Sequence, residues 1–344
     1  MKALVYTGPE TLRFAEVADP NPAPGEQLIR VERVGICGSD MHAYLGHDDR
    51  RPAPLILGHE AAGVIVGGPR DGERVTVNPL VTNPDSWASR QGRDNLCPDR
   101  QIISMPPREG AFAQYLTIPD ANLVTMPDHA TMDQAALAEP IACGWHAVRL
   151  AKRALHDGHQ GCRALVIGGG AIGLGAALSL VAQGIADVTV LEPNEARRTV
   201  IADSTAFPLL DLPDLDTAGF FDLVIDGVGF EATRATASAH VKPGGVIMHI
   251  GLGQATGGLD IRRVTLQEIT FIGTYTYTAA DFRATAEAMF DGRLGPLDWT
   301  ETRALADGAG AFEDIRAGRV AAPKVLLDPT IKDVLPPAGV IPRR

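Results

Sequence analysis

The sequence predicts an α/β protein: a β-rich unit, an inserted unit built on a doubly wound parallel sheet, and a C-terminal return to the first unit. Three observations predict it. The first third is cut by Pro and Gly into short β-branched runs. Further on, strand-like and helix-like segments alternate, the pattern of βαβ units. The alternation then stops, and the chain closes on one more strand-like run, "PKVLLDP". A length of 344 residues is enough for two cores.

The elements follow in order. "LIRVERVGICG", "AAGVIV" and "ERVTVNP" read as strands separated by turns, with no helix longer than two turns in this part. "TMDQAALAEPIACGWHAVRLAKRAL" has helical spacing and few turn residues. Then "RALVIG" is a strand, "AIGLGAALSLVAQG" a helix, "DVTVLEP" a strand and "NEARRTVIA" a helix. "FDLVIDGVG" is a strand, "EATRATASAHVKPG" a helix, and "GVIMHIGL" and "TFIGTYTY" are the last strands of the alternation. The final "DVLPPAGVIPRR" is Pro-rich and reads as an irregular arm. The expected limits are 1–148 with 285–344 for the outer unit and 149–284 for the inserted one.

Composition narrows the function. The net charge is −11 and no block of Lys or Arg occurs, which argues against nucleic acid or an anionic membrane as partner. Residues 164–186 carry no charge but contain six glycines, so a strand, a glycine turn and a buried helix explain them better than a membrane span. Four irregularly spaced cysteines are not a disulfide framework. Free thiols and the lack of a signal-like N-terminal run give a cytoplasmic protein as the expectation.

"VIGGGAIG" places Gly168, Gly170 and Gly173 in G-x-G-x-x-G spacing between a strand and a helix. Alone the motif is weak. An acidic residue, Glu192, ends the next strand 19 residues after Gly173, where a carboxylate would meet the adenosine ribose of a dinucleotide. Gly168 would allow the turn, Gly170 the approach of the pyrophosphate, and Gly173 the packing of helix on strand. The helix start at Ala171 and Ile172 offers N–H donors to phosphate. A carboxylate also selects NAD over NADP, because a 2′-phosphate would meet it with a repulsion of roughly 4 kcal/mol per unit charge at an effective dielectric of about 20. Arg197 and Arg198 are expected along the adenine edge or in solvent, and Val228 and Gly251 on the cofactor surface.

A second constellation joins "GICGSDMH" and "LGHEAAG". Cys37 precedes the adjacent pair His59 and Glu60 by 22 residues. Thiolate, imidazole and carboxylate are the donors of a catalytic zinc site with an open position. Glu139, in an apolar helix-prone stretch, is costly to bury unless paired or bound to a cation. It is the preferred third ligand, with Cys143 as a packed thiol. Glu60 competes, but neighbours on a strand point apart, so joint use of His59 and Glu60 needs a turn.

With "DGERV", "GRDNLCP", "AEPIACGWHAV", "LEPNEARR" and "KPGGVIMHIGL" added, the chain resembles the zinc-dependent medium-chain alcohol dehydrogenases, in the sorbitol (polyol) and threonine dehydrogenase branch. The resemblance implies a GroES-like catalytic domain and a Rossmann NAD-binding domain. It implies zinc on Cys37 and His59 with Glu60 and Glu139 near it, and Asp40 orienting His59. It implies oxidation of a secondary alcohol or polyol by hydride transfer to NAD, with a proton relay from Ser39 through the nicotinamide ribose to His42; water on zinc, or Glu139, is the alternative shuttle. Tyr44, Leu45, Phe112 and residues 274–277 are candidate pocket walls. Polyol dehydrogenases carry an Arg-Tyr pair at about Thr276-Tyr277, so the missing arginine points to a smaller or less polar alcohol. By analogy the chain forms a homodimer or homotetramer through the edge strands around "VIMHIGL" and "TFIGTYTY".

Relatives often hold a second, structural zinc through C-x2-C-x2-C-x7-C. Counting back from Cys97, the other three positions are Asn83, Ser86 and Ser89. Amide and hydroxyl oxygens are poor zinc ligands beside thiolates. One zinc per chain is therefore expected, with the lobe held by Trp87 packing and side-chain hydrogen bonds. Two rival readings remain: a zinc-free NAD(P)H reductase of the same fold, and a non-catalytic NAD-binding protein. Both expect a broken metal set, and Cys37 and His59 are present.

Overall fold

The computed structural model describes residues 1–156 and 158–331. The expected arm at 333–344 lies outside the described residues. Strands β1 (Lys2–Gly8) and β2 (Thr11–Glu16) form a hairpin, and β3 (Glu26–Gly35) leads into helix α1 (Gly38–Tyr44). Then come β4 (Leu55–Ile56), β5 (Glu60–Val66), β6 (Arg74–Val77) and β7 (Leu80–Val81). A single-turn helix α2 (Trp87–Arg90) sits in the polar loop, followed by β8 (Gln101–Ile102), β9 (Tyr115–Pro119) and β10 (Leu123–Thr125). Alternating side chains of β3 and β5, with Phe112 and Phe312, fill one core; those two rings meet edge to face at 5.9 Å.

Two helices follow, α3 (Met132–Ala136) and α4 (Ala138–Ala154). Thr131 and Gln134 form a capping box at the start of α3. Pro140 lies in the first turn of α4, where a missing N–H costs nothing.

The alternation then appears as read. It runs β11 (Arg163–Ile167), α5 (Ala171–Ala182), β12 (Asp187–Leu191), α6 (Glu195–Ser204), β13 (Leu209–Leu210), α7 (Leu212–Leu215) and β14 (Phe221–Asp226). After α8 (Glu231–His240) come β15 (Val241–His249), α9 (Ile261–Leu266) and β16 (Thr270–Gly273). The six strands are parallel in the order β13-β12-β11-β14-β15-β16. The switch point between β11 and β14 is where a doubly wound sheet binds its ligand.

Helix α10 (Ala279–Phe290) packs on α4, and β17 (Thr300–Ala304), α11 (Gly308–Arg316) and β18 (Lys324–Asp328) are the last elements among the described residues. β18 pairs with β3, so the last strand rejoins the first sheet and brings Lys324 beside the start of β5. The two expected junctions, at 148/149 and 284/285, fall inside α4 and α10.

Two sequence expectations shift. The helix read through Gly244 ends at His240, because Pro243 offers no N–H and Gly244 has φ +73°. The strand read through Tyr277 ends at Gly273, and Thr276 takes φ +46°, outside the strand region.

Candidate functional site

Cys37 caps the N-terminus of α1, and His59 and Glu60 stand where the chain enters β5. The turn that joint use of His59 and Glu60 needs is supplied by Gly58 at φ +90°. One donor atom from each of Cys37, His59 and Glu60 lies within 4.8 Å of the others. Glu60 is fully buried, and its Oε2 has no hydrogen-bond partner among the described residues. A buried carboxylate oxygen without a donor carries a desolvation cost that a cation would offset. A β-carbon at Gly35 would fall on that oxygen, so only glycine leaves it room. A thiolate, an imidazole and this oxygen are a donor set that zinc fits.

Neighbouring groups orient the set. Asp40 accepts from the Cys37 amide at 3.0 Å and the Gly58 amide at 3.2 Å. It also faces His59 Nδ1 at 3.4 Å, which leaves Nε2 for a metal. Burial alone would raise the Asp40 carboxyl, but His59, Arg51 and the Cys37 amide hold it below the ordinary value. Burial alone would lower His59, yet the Asp40 and Cys37 charges push it well above its ordinary value. Lys324 donates to Glu60 Oε1 at 2.6 Å and to the Ile36 carbonyl at 2.9 Å. Burial opposes its charge, and Glu60 and Cys37 outweigh that, so its pKa is raised.

Glu139 is buried in the first turn of α4, close enough for His59 and Glu60 to act on its charge, but it lies outside the 4.8 Å set. Its carboxyl is raised to about 7, chiefly by burial and then by the Glu60 charge, against the pull of His59, Tyr277 and Lys324. The favourable field of a helix start is weaker than that desolvation. Tyr277 donates its hydroxyl to Glu139 Oε1 at 2.8 Å. The Cys143 thiol is pushed well up by burial, then by Glu139.

The glycine turn opens a cleft of about 660 Å³. Cys37, Gly168, Gly170, Ala171, Ile172, Glu192, Arg197, Val228 and Lys324 line it, so one cleft joins the metal set to the turn. Gly168 has φ +99°, and a β-carbon on Gly173 would strike the Gly168 carbonyl. Gly170 faces open space at the N-cap of α5, as a pyrophosphate needs. Glu192 accepts from the amides of Gly169 and Asn194, both at 2.8 Å.

Two regions match models of known families. Residues 23–128 match the alcohol dehydrogenase GroES-like domain, and 171–291 match the zinc-binding dehydrogenase domain. L-Galactonate-5-dehydrogenase of Escherichia coli (strain K12) is 33% identical over 309 residues, covering 86% of this chain and 88% of that protein. The chain belongs to the zinc-dependent medium-chain alcohol dehydrogenase family. Sorbitol dehydrogenase of Bacillus subtilis (strain 168) is 31% identical over 296 residues, covering 80% and 82%. A solved acetophenone reductase from Geotrichum candidum, in complex with NAD, superposes with TM-score 0.84 at 26% identity, covering 95% of this chain and 96% of that one. This dehydrogenase is an oxidoreductase acting on CH–OH groups with a nicotinamide cofactor. The zinc-free and non-catalytic readings are not favoured. Among the described residues no helix is long and apolar enough to cross a membrane.

The remaining expected residues are placed as follows. Ser39 and His42 are half-buried on α1, at its start and in its last turn. Gly251 is pressed against the Val228–Gly229 backbone and does not line the cleft. Arg197 binds the carbonyls of Val320 and Ala321, with Nη1 3.9 Å from Glu192 Oε2. Arg198 is not free in solvent; it binds the carbonyls of Glu192 and Pro193. Tyr44 and Phe112 are buried with their rings against Phe312, and neither lines this cleft.

In the 83–97 lobe, Asn83, Ser86, Ser89 and Cys97 do converge, on one another. The Ser89 amide donates to Ser86 Oγ at 3.1 Å, Ser86 Oγ to Ser89 Oγ at 2.9 Å, and Ser89 Oγ to the Asn83 carbonyl at 2.6 Å. The buried Cys97 thiol lies 4.0 Å from that same carbonyl. Trp87 takes no part, since it is 52% exposed. Sequence reasoning missed Lys324, Arg51 and Ser104, whose hydroxyl lies 3.5 Å from His59 Nδ1. A lysine opening the apolar strand "KVLLD" was the available signal for the first, because a buried lysine needs a carboxylate.

Proposed function

We propose that this dehydrogenase interconverts a secondary alcohol or polyol and its ketone, with NAD as hydride acceptor and one zinc ion on Cys37, His59 and Glu60. The observation that carries it is the buried Glu60 oxygen, without a hydrogen-bond partner among the described residues, grouped with Cys37 and His59 at one end of the cofactor cleft. Zinc would supply Lewis acidity to the alcohol oxygen, and NAD would take the hydride.

The chain's own residues do the rest. Asp40 fixes the His59 ring, and Lys324 fixes Glu60 and limits the negative charge of the set. Glu139, with a carboxyl poised near neutrality, can hold the alcohol proton beside the set. Ser39 and His42 would pass that proton outward along α1. Glu192 favours NAD over NADP, since its carboxylate already lies against the turn that receives the cofactor. The polar set at Asn83, Ser86 and Ser89 supports one zinc, not two.

The chain's similarity to an L-galactonate-5-dehydrogenase and a sorbitol dehydrogenase supports a substrate with a secondary alcohol. Thr276 offers no cation, which favours a smaller or less polar one. The units at 1–148 with 285–344 and at 149–284 would act as catalytic and cofactor halves. β16, one edge of the parallel sheet among the described residues, is where a homodimer or homotetramer would pair, in the cytoplasm; the "VIMH" of "VIMHIGL" lies on β15, inside the sheet between β14 and β16. The test is NADH formation on a panel of secondary alcohols, polyols and aldonates, with zinc-loaded and chelator-treated protein. The reading predicts turnover that chelation removes and zinc restores. No turnover on the whole panel, or turnover indifferent to zinc, contradicts it.

A further inference from the structure

Residues 274–278, between β16 and α10, carry Tyr277 to Glu139, and this segment is irregular. Thr276 is a β-branched residue at φ +46°, a strained conformation that persists only when its surroundings impose it. The surroundings include the 83–97 lobe and the turn after it. Asn95, buried at 3% exposure, donates through Nδ2 to the Tyr275 carbonyl at 2.7 Å. Asp94 Oδ2 accepts from the Ala279 amide at 2.7 Å, just past Tyr277. The Arg100 guanidinium stacks 4.9 Å from the centre of the Tyr275 ring, and its Nη1 returns to the Cys97 carbonyl at 2.9 Å. From the other side, Asp281 binds Thr278 Oγ1 at 2.7 Å, His146 Nδ1 at 2.7 Å and Arg149 Nε at 2.6 Å. His146 and Arg149 lie on α4, the helix that bears Glu139.

We propose that Asp94, Asn95 and Arg100 are positioning residues for the alcohol chemistry: they clamp 275–279 so that the Tyr277 hydroxyl stays on Glu139. The contacts of the clamp reach the segment on both sides of Thr276, across more than 170 residues of sequence. The hydrogen bonds among Asn83, Ser86, Ser89 and Cys97 then have a purpose beyond local stability. They join residues 83–89 to Cys97, whose amide donates to the Asp94 carbonyl at 2.9 Å, in the short turn Asp94–Leu96. The inference rests on Glu139 acting in the site.

The test is a double-mutant cycle on zinc-loaded enzyme, with Asn95→Ala, Tyr277→Phe and both together. Asn95→Ala is expected to lower kcat about tenfold, with alcohol KM, NADH affinity and zinc per chain changed less than about twofold. The double variant should be no slower than Tyr277→Phe alone, because both changes break one interaction. Asp94→Asn, which keeps an acceptor for the Ala279 amide, should retain the activity that Asp94→Ala loses. Hydrogen exchange at 274–279 should quicken in Asn95→Ala. If Asn95→Ala does not fold, Arg100→Ala, at an exposed side chain, takes its place in the cycle. Losses that add in the double variant, or a silent Asn95→Ala beside an impaired Tyr277→Phe, overturn the clamp alone. A silent Tyr277→Phe overturns the clamp together with the role given to Glu139.

Discussion

Replacing Lys324 by Met separates the metal account from a purely structural one. Lys324 Nζ is 2.6 Å from Glu60 Oε1, and the two side chains are 5% and 0% exposed. Removing one partner of such a buried pair costs about 3–5 kcal/mol, because the other charge stays buried. That cost applies in full only without metal. With a divalent cation beside it, the Glu60 charge keeps a partner. If zinc recovers about 2 kcal/mol of the loss, linkage requires the variant to bind zinc roughly 30-fold more tightly than the wild type. Lys324→Met should therefore lower the stability of the chelated protein sharply and that of the zinc-loaded protein much less. Urea unfolding in chelator and in zinc, with zinc affinity from competition against a coloured chelator, measures both sides. Equal destabilisation in the two states, or weaker zinc binding, would refute the placement of Glu60 beside the metal.

Three other predictions follow from separate parts of the site. Glu192→Ser removes the carboxylate near the adenosine end, so the ratio of kcat/KM for NAD over NADP should fall by about tenfold or more; an unchanged ratio would remove Glu192 from the selection. The Glu139 carboxyl is raised to about 7 in the folded state, so the stability it contributes is present at low pH and is lost as pH rises from its ordinary value through 7. Between about pH 5.5 and about pH 8, chelated wild type should lose about 2 kcal/mol relative to Glu139→Gln, read from urea midpoints. Ser89→Ala deletes two hydroxyl contacts within the lobe and should cost about 1–2 kcal/mol, with zinc content unchanged.

The parallel sheet was legible because its signals are local. Strand, glycine turn and helix stand together in "RALVIGGGAIGLGAALSLVAQG", and the structure gives β11 and α5 within two residues of those limits. That Cys37 and His59 come together was legible from donor chemistry. Which carboxylate lies with them, Glu60 or Glu139, was not, because it depends on the backbone angle at Gly58. Lys324 reaches Glu60 only through the pairing of β18 with β3, a contact spanning 264 residues that no window of sequence contains. Tyr277 likewise looked like the end of a strand, since β-branched and aromatic residues favour strands. Tertiary contacts from Asp94 and Asn95 hold that segment in another conformation. The lobe was half legible: its polar residues bond as expected, and Trp87 does not pack.

Zinc per chain tests the central claim most directly, measured on purified protein and on two variants. The account predicts one zinc in the wild type, close to none in His59→Ala, and still one in Cys97→Ser. Two per chain, or loss of the metal on changing Cys97 while His59→Ala retains it, would contradict it.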